Sequence, residues 1–303
     1  MTLDRFEGCL LGLALGDALG APHEGGPLER LLWRLIGTTV QGHMRWTDDT
    51  QMAIDVAASL AERGAVDADD LALRFARSYR WSRGYGPGAA KLLKRIRRGA
   101  DWRQANRSVY PEGSFGNGGA MRAPMVGLFY ARRPAEVADA ARLSASITHA
   151  HPLGMEGAVL VASATALAFG GGRAREILQG AAAGCALDPF TSRLEVAATW
   201  LASASGEEPA TADVARRLGN GIAASESCVT AVYLAARFLD RPFEELQGFV
   251  AAGGGDADTI GAMAGAVWGA ANGAARLPAG ALGKLEEREK LVALAAALHA
   301  KAG

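Results

Sequence analysis

Gly253-Gly254-Gly255-Asp256-Ala257-Asp258-Thr259-Ile260-Gly261-Ala262-Met263-Ala264-Gly265-Ala266-Val267-Trp268-Gly269-Ala270-Ala271-Asn272 is the stretch on which the fold turns. A phosphatase nucleophile loop with this acid spacing would follow a β-strand, and a triple glycine is a poor strand end. A calcium loop needs further acids at fixed offsets, which are missing here. From Ile260 to Asn272 the pattern instead predicts a helix lined with Gly261, Ala262, Ala264, Gly265, Ala266, Gly269 and Ala270. Side chains this small predict tight packing at the centre of a fold.

The acids that open this helix have a distant echo in Thr47-Asp48-Asp49-Thr50. Each segment puts two carboxylates and a threonine hydroxyl within four consecutive residues. Four carboxylates in one pocket repel strongly unless something compensates them. Hard divalent cations do so, and Mg²⁺ or Mn²⁺ prefers carboxylate, hydroxyl and water oxygens. The reading is a two-metal site joining both ends of the chain. Taken alone, Thr47, Asp48 and Asp49 also read as an ordinary N-cap with acids at the positive helix end.

Outward from these segments the chain reads as helix after helix. Phe6, Leu10 and Leu13 have helical spacing over Leu3–Leu15, and glycines at 8, 12, 16 and 20 suggest close approach to another backbone. Asp17 and Glu24 lie in or beside the glycine-bounded turn that follows, where either also reads as a cap or a surface charge. A loop with Gly25, Gly26 and Pro27 comes next. Met52, Val56 and Leu60 extend the helix opened by Thr47 to a stop at Gly64. Further helices are predicted at 67–81, 91–98, 134–147, 155–169, 174–187, 192–203, 212–218, 226–239, 243–251 and 286–300, with a turn at Gly170-Gly171-Gly172. No alternating β pattern, internal repeat or long linker interrupts them. The fold class is all-α, in one domain over residues 1–303.

Between the acidic segments lies Gly113-Ser114-Phe115-Gly116-Asn117-Gly118-Gly119-Ala120-Met121-Arg122. Its glycines let backbone N–H groups approach a ligand, and a helix start behind them suits phosphate. It lacks the Gly-Lys-Ser/Thr of a Walker loop, and a flexible turn is the alternative. His149 and His151, two apart beside Pro152, lack the spacing of a zinc helix. A hydrogen bond or stacking contact to a ligand suits His149 better.

Composition narrows the class. The 303 residues carry 32 basic and 32 acidic side chains, and half are hydrophobic. That supports a sizeable core and provides no electrostatic case for nucleic acid or an anionic membrane. The basic run from Lys91 to Arg98 reads as a solvated helix face. Cys9, Cys185 and Cys228 form no CxxC pair, which points to reduced thiols and a cytoplasmic setting. No signal peptide is read at the N-terminus, and no apolar run reaches the roughly 18–20 residues of a membrane span.

Gly16-Asp17-Ala18-Leu19-Gly20, Thr47-Asp48-Asp49-Thr50, Gly116 to Arg122, Thr148-His149 and Gly254 to Thr259 together resemble the ordered motifs of the ADP-ribosylglycohydrolase family. The likeness runs from about residue 5 to residue 273, and the glycine loop resembles the serine-type branch more than the nitrogenase-regulating one. It implies an orthogonal helical bundle with two Mg²⁺ or Mn²⁺ ions in a central cleft. By position it implies Thr47, Asp48, Asp49, Asp256, Asp258 and Thr259 as metal ligands. Ser114, Phe115, Gly116, Asn117 and Gly118 would hold the diphosphate and distal ribose of ADP-ribose, with Phe115 also near the adenine and His149 touching the ligand. Glu24 matches a mobile acidic loop residue, although its loop is short here. With Asp48, Asp49 and Asp256 it would serve the hydrolysis of the C1″ bond of ADP-ribose, in which the metal ions activate water. Substrates implied are serine-, arginine- or nucleic-acid-linked ADP-ribose, poly(ADP-ribose) or O-acetyl-ADP-ribose, acted on by a monomer. A catalytically silent ADP-ribose-binding homologue is the alternative, and the presence of every implied ligand argues against it.

Overall fold

Four residues make slightly more than one helical turn, so glycines at 8, 12, 16 and 20 share one face of the N-terminal helix Thr2–Gly20. That face lies directly on the central helix Ala257–Asn272, which carries its own glycines at 261, 265 and 269. A Cβ added at Gly12 would sit 2.3 Å from the Gly265 carbonyl oxygen, and one at Gly16 would sit 2.1 Å from that of Gly261. The partners descend as the first helix ascends, so the two run antiparallel. Backbone touches backbone, and the end of one helix meets the start of the other.

This computed structural model describes residues 2–203 and 208–303. In chain order its helices are Thr2–Gly20, Pro27–Ile36, Asp48–Arg63, Ala68–Ser78, Pro87–Arg97, Trp102–Val109, Ala123–Phe129, Pro134–Ser146, Pro152–Phe169, Ala174–Ala182, Phe190–Ala202, Thr211–Arg217, Ala224–Arg237, Phe243–Gly253, Ala257–Asn272, Ala279–Leu282 and Arg288–Ala302. Short 3-10 turns at Ala21–His23, Trp81–Arg83, Asn117–Gly119 and Ala274–Arg276 and a few isolated β-bridges accompany them, and the described residues form no strand. The all-α expectation holds. The buried side chains form one cluster that takes in all of the longer helices.

Local chemistry accounts for the ends that the sequence located well. Thr47 caps its helix by accepting a hydrogen bond from the Asp49 N–H, and Gly64 ends it at φ 77°. The loop read across Gly25, Gly26 and Pro27 is shorter than expected, because a helix begins at Pro27, which fits the first helical turn. Trp102–Val109 escaped notice for a different reason: eight largely polar residues give too short a window for periodicity to show. The expectation that no apolar stretch reaches membrane-spanning length needs correcting. Pro152–Phe169 reaches it by length and composition, yet 61% of it is buried in the protein interior. It is a core helix.

Candidate active site

The antiparallel register brings Asp17 to the acidic start of the central helix. Asp17 is fully buried, and its carboxylate accepts the Thr47 N–H (2.9 Å), the Thr50 N–H (3.1 Å) and the Thr50 hydroxyl (2.5 Å). It therefore orients the Thr47–Thr50 turn, a role that its sequence surroundings left between cap and surface charge. Behind the same turn, Arg83 stacks 3.5 Å over the Trp46 ring, binds the Trp46 carbonyl at 2.6 Å and pairs with Glu286 at 2.7 Å. The chain entering the turn is thus held from both sides.

The two acidic segments meet. The Thr259 hydroxyl donates to Asp49 Oδ1 at 3.2 Å, across 210 residues of chain. Carboxylate oxygens of Glu24, Asp256 and Asp258 all lie within 4.8 Å of one another. Asp49 Oδ2 and Asp258 Oδ1 are buried and accept no hydrogen bond from the described residues. A buried carboxylate oxygen without a donor is expensive. Carboxylates gathered this closely, with Asp49 Oδ2 and Asp258 Oδ1 short of a donor and the Thr259 hydroxyl beside them, fit a hard divalent cation such as Mg²⁺ or Mn²⁺.

Electrostatics point the same way. Burial raises Asp17 and Asp256 to about 6. Burial, then repulsion from neighbouring carboxylates, lifts Asp48, Asp49 and Asp258 well above the ordinary carboxylate range. Asp55, in the interior, is raised to about 6 by burial, against the hydrogen bond from Ser78. A group whose folded pKa exceeds its unfolded value of 3.8 contributes stability in its protonated form, and that contribution fades as pH rises through the folded pKa. One shift from 3.8 to about 6 corresponds to about 3 kcal/mol. His149 works in the opposite sense, since burial and the Arg122 charge push it down to about 3, so it gains stability as pH climbs to 6.5. One histidine is outweighed by six raised carboxylates. In EDTA the protein should melt several degrees lower at pH 8 than at pH 5.5, and Mg²⁺ should remove most of that difference. Calorimetry at the two pH values tests this; an EDTA melting point that rises with pH would reject the close packing of these acids.

The glycine loop forms the facing wall of a cleft of about 310 Å³, lined by Glu24, Asp48, Asp49, Asp256, Asp258 and Thr259 at its acidic end and by Ser114, Gly116, Asn117, Gly118 and His149 along its side. A Cβ at Gly118 would sit 2.5 Å from His149 Cε1, so that glycine lets the imidazole close over the loop. Arg122 is buried beneath, donating to the Gly118 carbonyl (2.7 Å) and the Ser144 carbonyl (2.7 Å), and stacked 4.6 Å from the centre of Phe75. Asn117 does something its place in the loop did not announce: its side-chain amide donates to Asp256 Oδ2 and to Ser227 Oγ. Phe115 is 56% exposed, lies outside the cleft lining and packs edge-on against His151. Tyr110, Ile222, Gly84, Gly86 and the first turn of the helix Pro87–Arg97 line the cleft instead, without any local signal in the sequence.

The profile of the ADP-ribosylglycohydrolase family matches residues 1–303. The chain belongs to that family. Among its relatives, ADP-ribosylhydrolase ARH3 of Homo sapiens is 34% identical, over 98% of this chain and 93% of that protein. ADP-ribosylhydrolase ARH3 of Danio rerio is 36% identical, over 92% and 85%. A solved structure titled "ADP-ribosylglycohydrolase-related protein complex" superposes with a TM-score of 0.73 at 30% identity, covering 100% of this chain and 99% of that one. This ADP-ribosylglycohydrolase is an enzyme of the glycohydrolase class. The family resemblance read from the ordered motifs was sound.

Proposed function

We propose that the protein is a divalent-cation-dependent hydrolase of the C1″ bond of ADP-ribose, acting first on O-linked, serine-type adducts. The observation that carries this is the convergence of Asp48, Asp49, Asp256, Asp258 and Glu24 at one end of the cleft, where the buried Asp49 Oδ2 and Asp258 Oδ1 have no hydrogen-bond donor among the described residues. Two Mg²⁺ or Mn²⁺ ions would be held by Thr47, Asp48, Asp49, Asp256, Asp258 and Thr259. When bound they supply a Lewis acid and a water of lowered pKa. The chain's own groups do the rest. The carboxylates offset the positive charge that develops on the ribose as the leaving group departs. Glu24 sits on a short loop at the cleft edge, where a carboxylate can shuttle the proton between water and leaving group. His149, neutral at working pH, orients the ligand by hydrogen bonding rather than by charge. Ser114, Gly116 and Gly118 offer polar wall to the diphosphate, and the Tyr110 ring and Ile222 offer flat apolar surface to the adenine.

The preference for serine-type adducts rests on the Gly113–Arg122 run, which resembles that branch. Cys9, Cys185 and Cys228 are all free, which supports placing the enzyme in a reducing cytoplasm. Calorimetric titration of ADP-ribose with and without Mg²⁺, beside ADP-ribose release from serine- and arginine-linked peptides, poly(ADP-ribose) and O-acetyl-ADP-ribose, tests the reading. Binding that needs Mg²⁺, with release from the serine peptide, is expected. Tight binding indifferent to EDTA and without turnover would make this a binding module, and no binding would remove ADP-ribose as the ligand.

A further inference from the structure

The segment from Gly219 to Ala224 touches both halves of the site without belonging to either acidic motif. On one side the Ile222 carbonyl accepts the Asn117 N–H at 3.0 Å, and the Ala224 N–H donates to the Phe115 carbonyl at 3.0 Å. On the other, the Asn220 carbonyl accepts the Asp256 N–H at 2.8 Å, and the Asn220 side-chain amide donates to the Gly253 carbonyl at 3.1 Å. The segment is itself pinned to the helix Ala224–Arg237, where the Thr230 hydroxyl donates to the Gly219 carbonyl at 2.7 Å and Ser227 donates to the Ala223 carbonyl at 3.1 Å. Asn220 therefore grips the Gly253–Asp256 turn at both ends.

That turn needs a grip. Gly254 and Gly255 take φ values of 59° and 72°, a region that glycine enters freely and leaves as freely. A Cβ on Gly255 would lie 2.1 Å from the Asn220 carbonyl oxygen, so the two segments are in direct backbone contact. A glycine turn places a carboxylate well only when something outside it removes its freedom. A further backbone tie to this turn is the Gly25 N–H to the Gly255 carbonyl, at 3.3 Å.

We infer that Asn220 is a positioning residue for the acidic site, holding the Gly253–Asp256 turn so that Asp256 presents its carboxylate in cation-binding geometry. Asn220 touches neither reacting atoms nor cation; it acts through Gly253 and Asp256. The inference rests on the cation-site reading above. Partners of this kind, one shell out from a metal, typically alter metal affinity 10–100-fold when removed.

The test is titration of Mg²⁺ into metal-free protein, without substrate, for wild type, Asn220→Asp and Asn220→Ser. Asn220→Asp keeps the shape and replaces the donor with an acceptor, and Asn220→Ser covers the case in which the added charge prevents folding. Expected is a loss of about tenfold or more in Mg²⁺ affinity in both variants. Their melting points in EDTA should stay close to wild type, and their ADP-ribose affinity at saturating Mg²⁺ should be little changed. A merely structural role would lower the EDTA melting point and leave Mg²⁺ affinity untouched. Wild-type Mg²⁺ affinity in both variants overturns the inference and leaves the cation site standing. A wild-type protein that takes up no Mg²⁺ overturns the cation site, and this inference with it.

Discussion

Asp256→Asn lowers kcat/KM on an ADP-ribosylated substrate by about 10³-fold or more, equivalent to roughly 4 kcal/mol of transition-state stabilisation. The substitution keeps the shape and an acceptor for the Asn117 amide, which the native carboxylate engages through Oδ2. What it removes is negative charge at the point where Glu24 and Asp258 crowd within 4.8 Å. A cation held there loses a charged ligand, and the ribose loses a nearby carboxylate. The same change removes a charge that the metal-free protein already disfavours, since burial, with repulsion from Glu24, pushes Asp256 up to about 6. Asp256→Asn should therefore melt no lower than wild type in EDTA while gaining much less stability from added Mg²⁺. Ordinary turnover and ordinary Mg²⁺ affinity in this variant would falsify the central reading. A variant that is merely unstable would melt lower in EDTA, so the two failures are separable.

Gly16→Ala is the second large effect, and it acts on the fold. The new Cβ would stand 2.1 Å from the Gly261 carbonyl oxygen and 2.5 Å from its carbonyl carbon. Both are backbone atoms within a helix, so no side-chain rotation relieves the clash and the helices must separate. Alanine recovers up to about 1 kcal/mol of helix propensity over glycine. Overpacking against rigid backbone costs more, and a net loss of about 3 kcal/mol is expected, or a fall of roughly 5 °C in melting temperature. Gly248→Ala is the control: that glycine is also helical, but its Cβ would meet nothing within 4 Å. It should leave stability unchanged or slightly raised. If Gly16→Ala melts within a degree or two of wild type, the backbone contact is not as tight as the register requires. Asp17 follows Gly16 directly and holds Thr47 and Thr50, so Mg²⁺ affinity should fall along with stability.

The sequence by itself determined the helical class, most helix ends and the identity of the acids, because those signals are local. Apolar spacing of three and four, a threonine before Asp48 and a glycine after Arg63 each act within a turn or two of chain. It also carried the family likeness, since ordered motifs survive without knowledge of where they meet. Tertiary structure decided the rest. The N-terminal glycines announced a close partner but not which one; pairing Gly16 with Gly261 joins residues far apart in the chain, and the antiparallel register alone brings Asp17 to the acids. The family resemblance implies Phe115 as a ligand contact; here the Phe115 ring lies against His151 outside the cleft lining, while Tyr110 and Ile222 come into the cleft from unmarked stretches. Asn117 looks like loop and serves Asp256. The physical reason is the same in each case. A residue's own type and spacing set its local conformation, whereas its partner in the site is chosen by helix packing, which depends on every buried side chain at once.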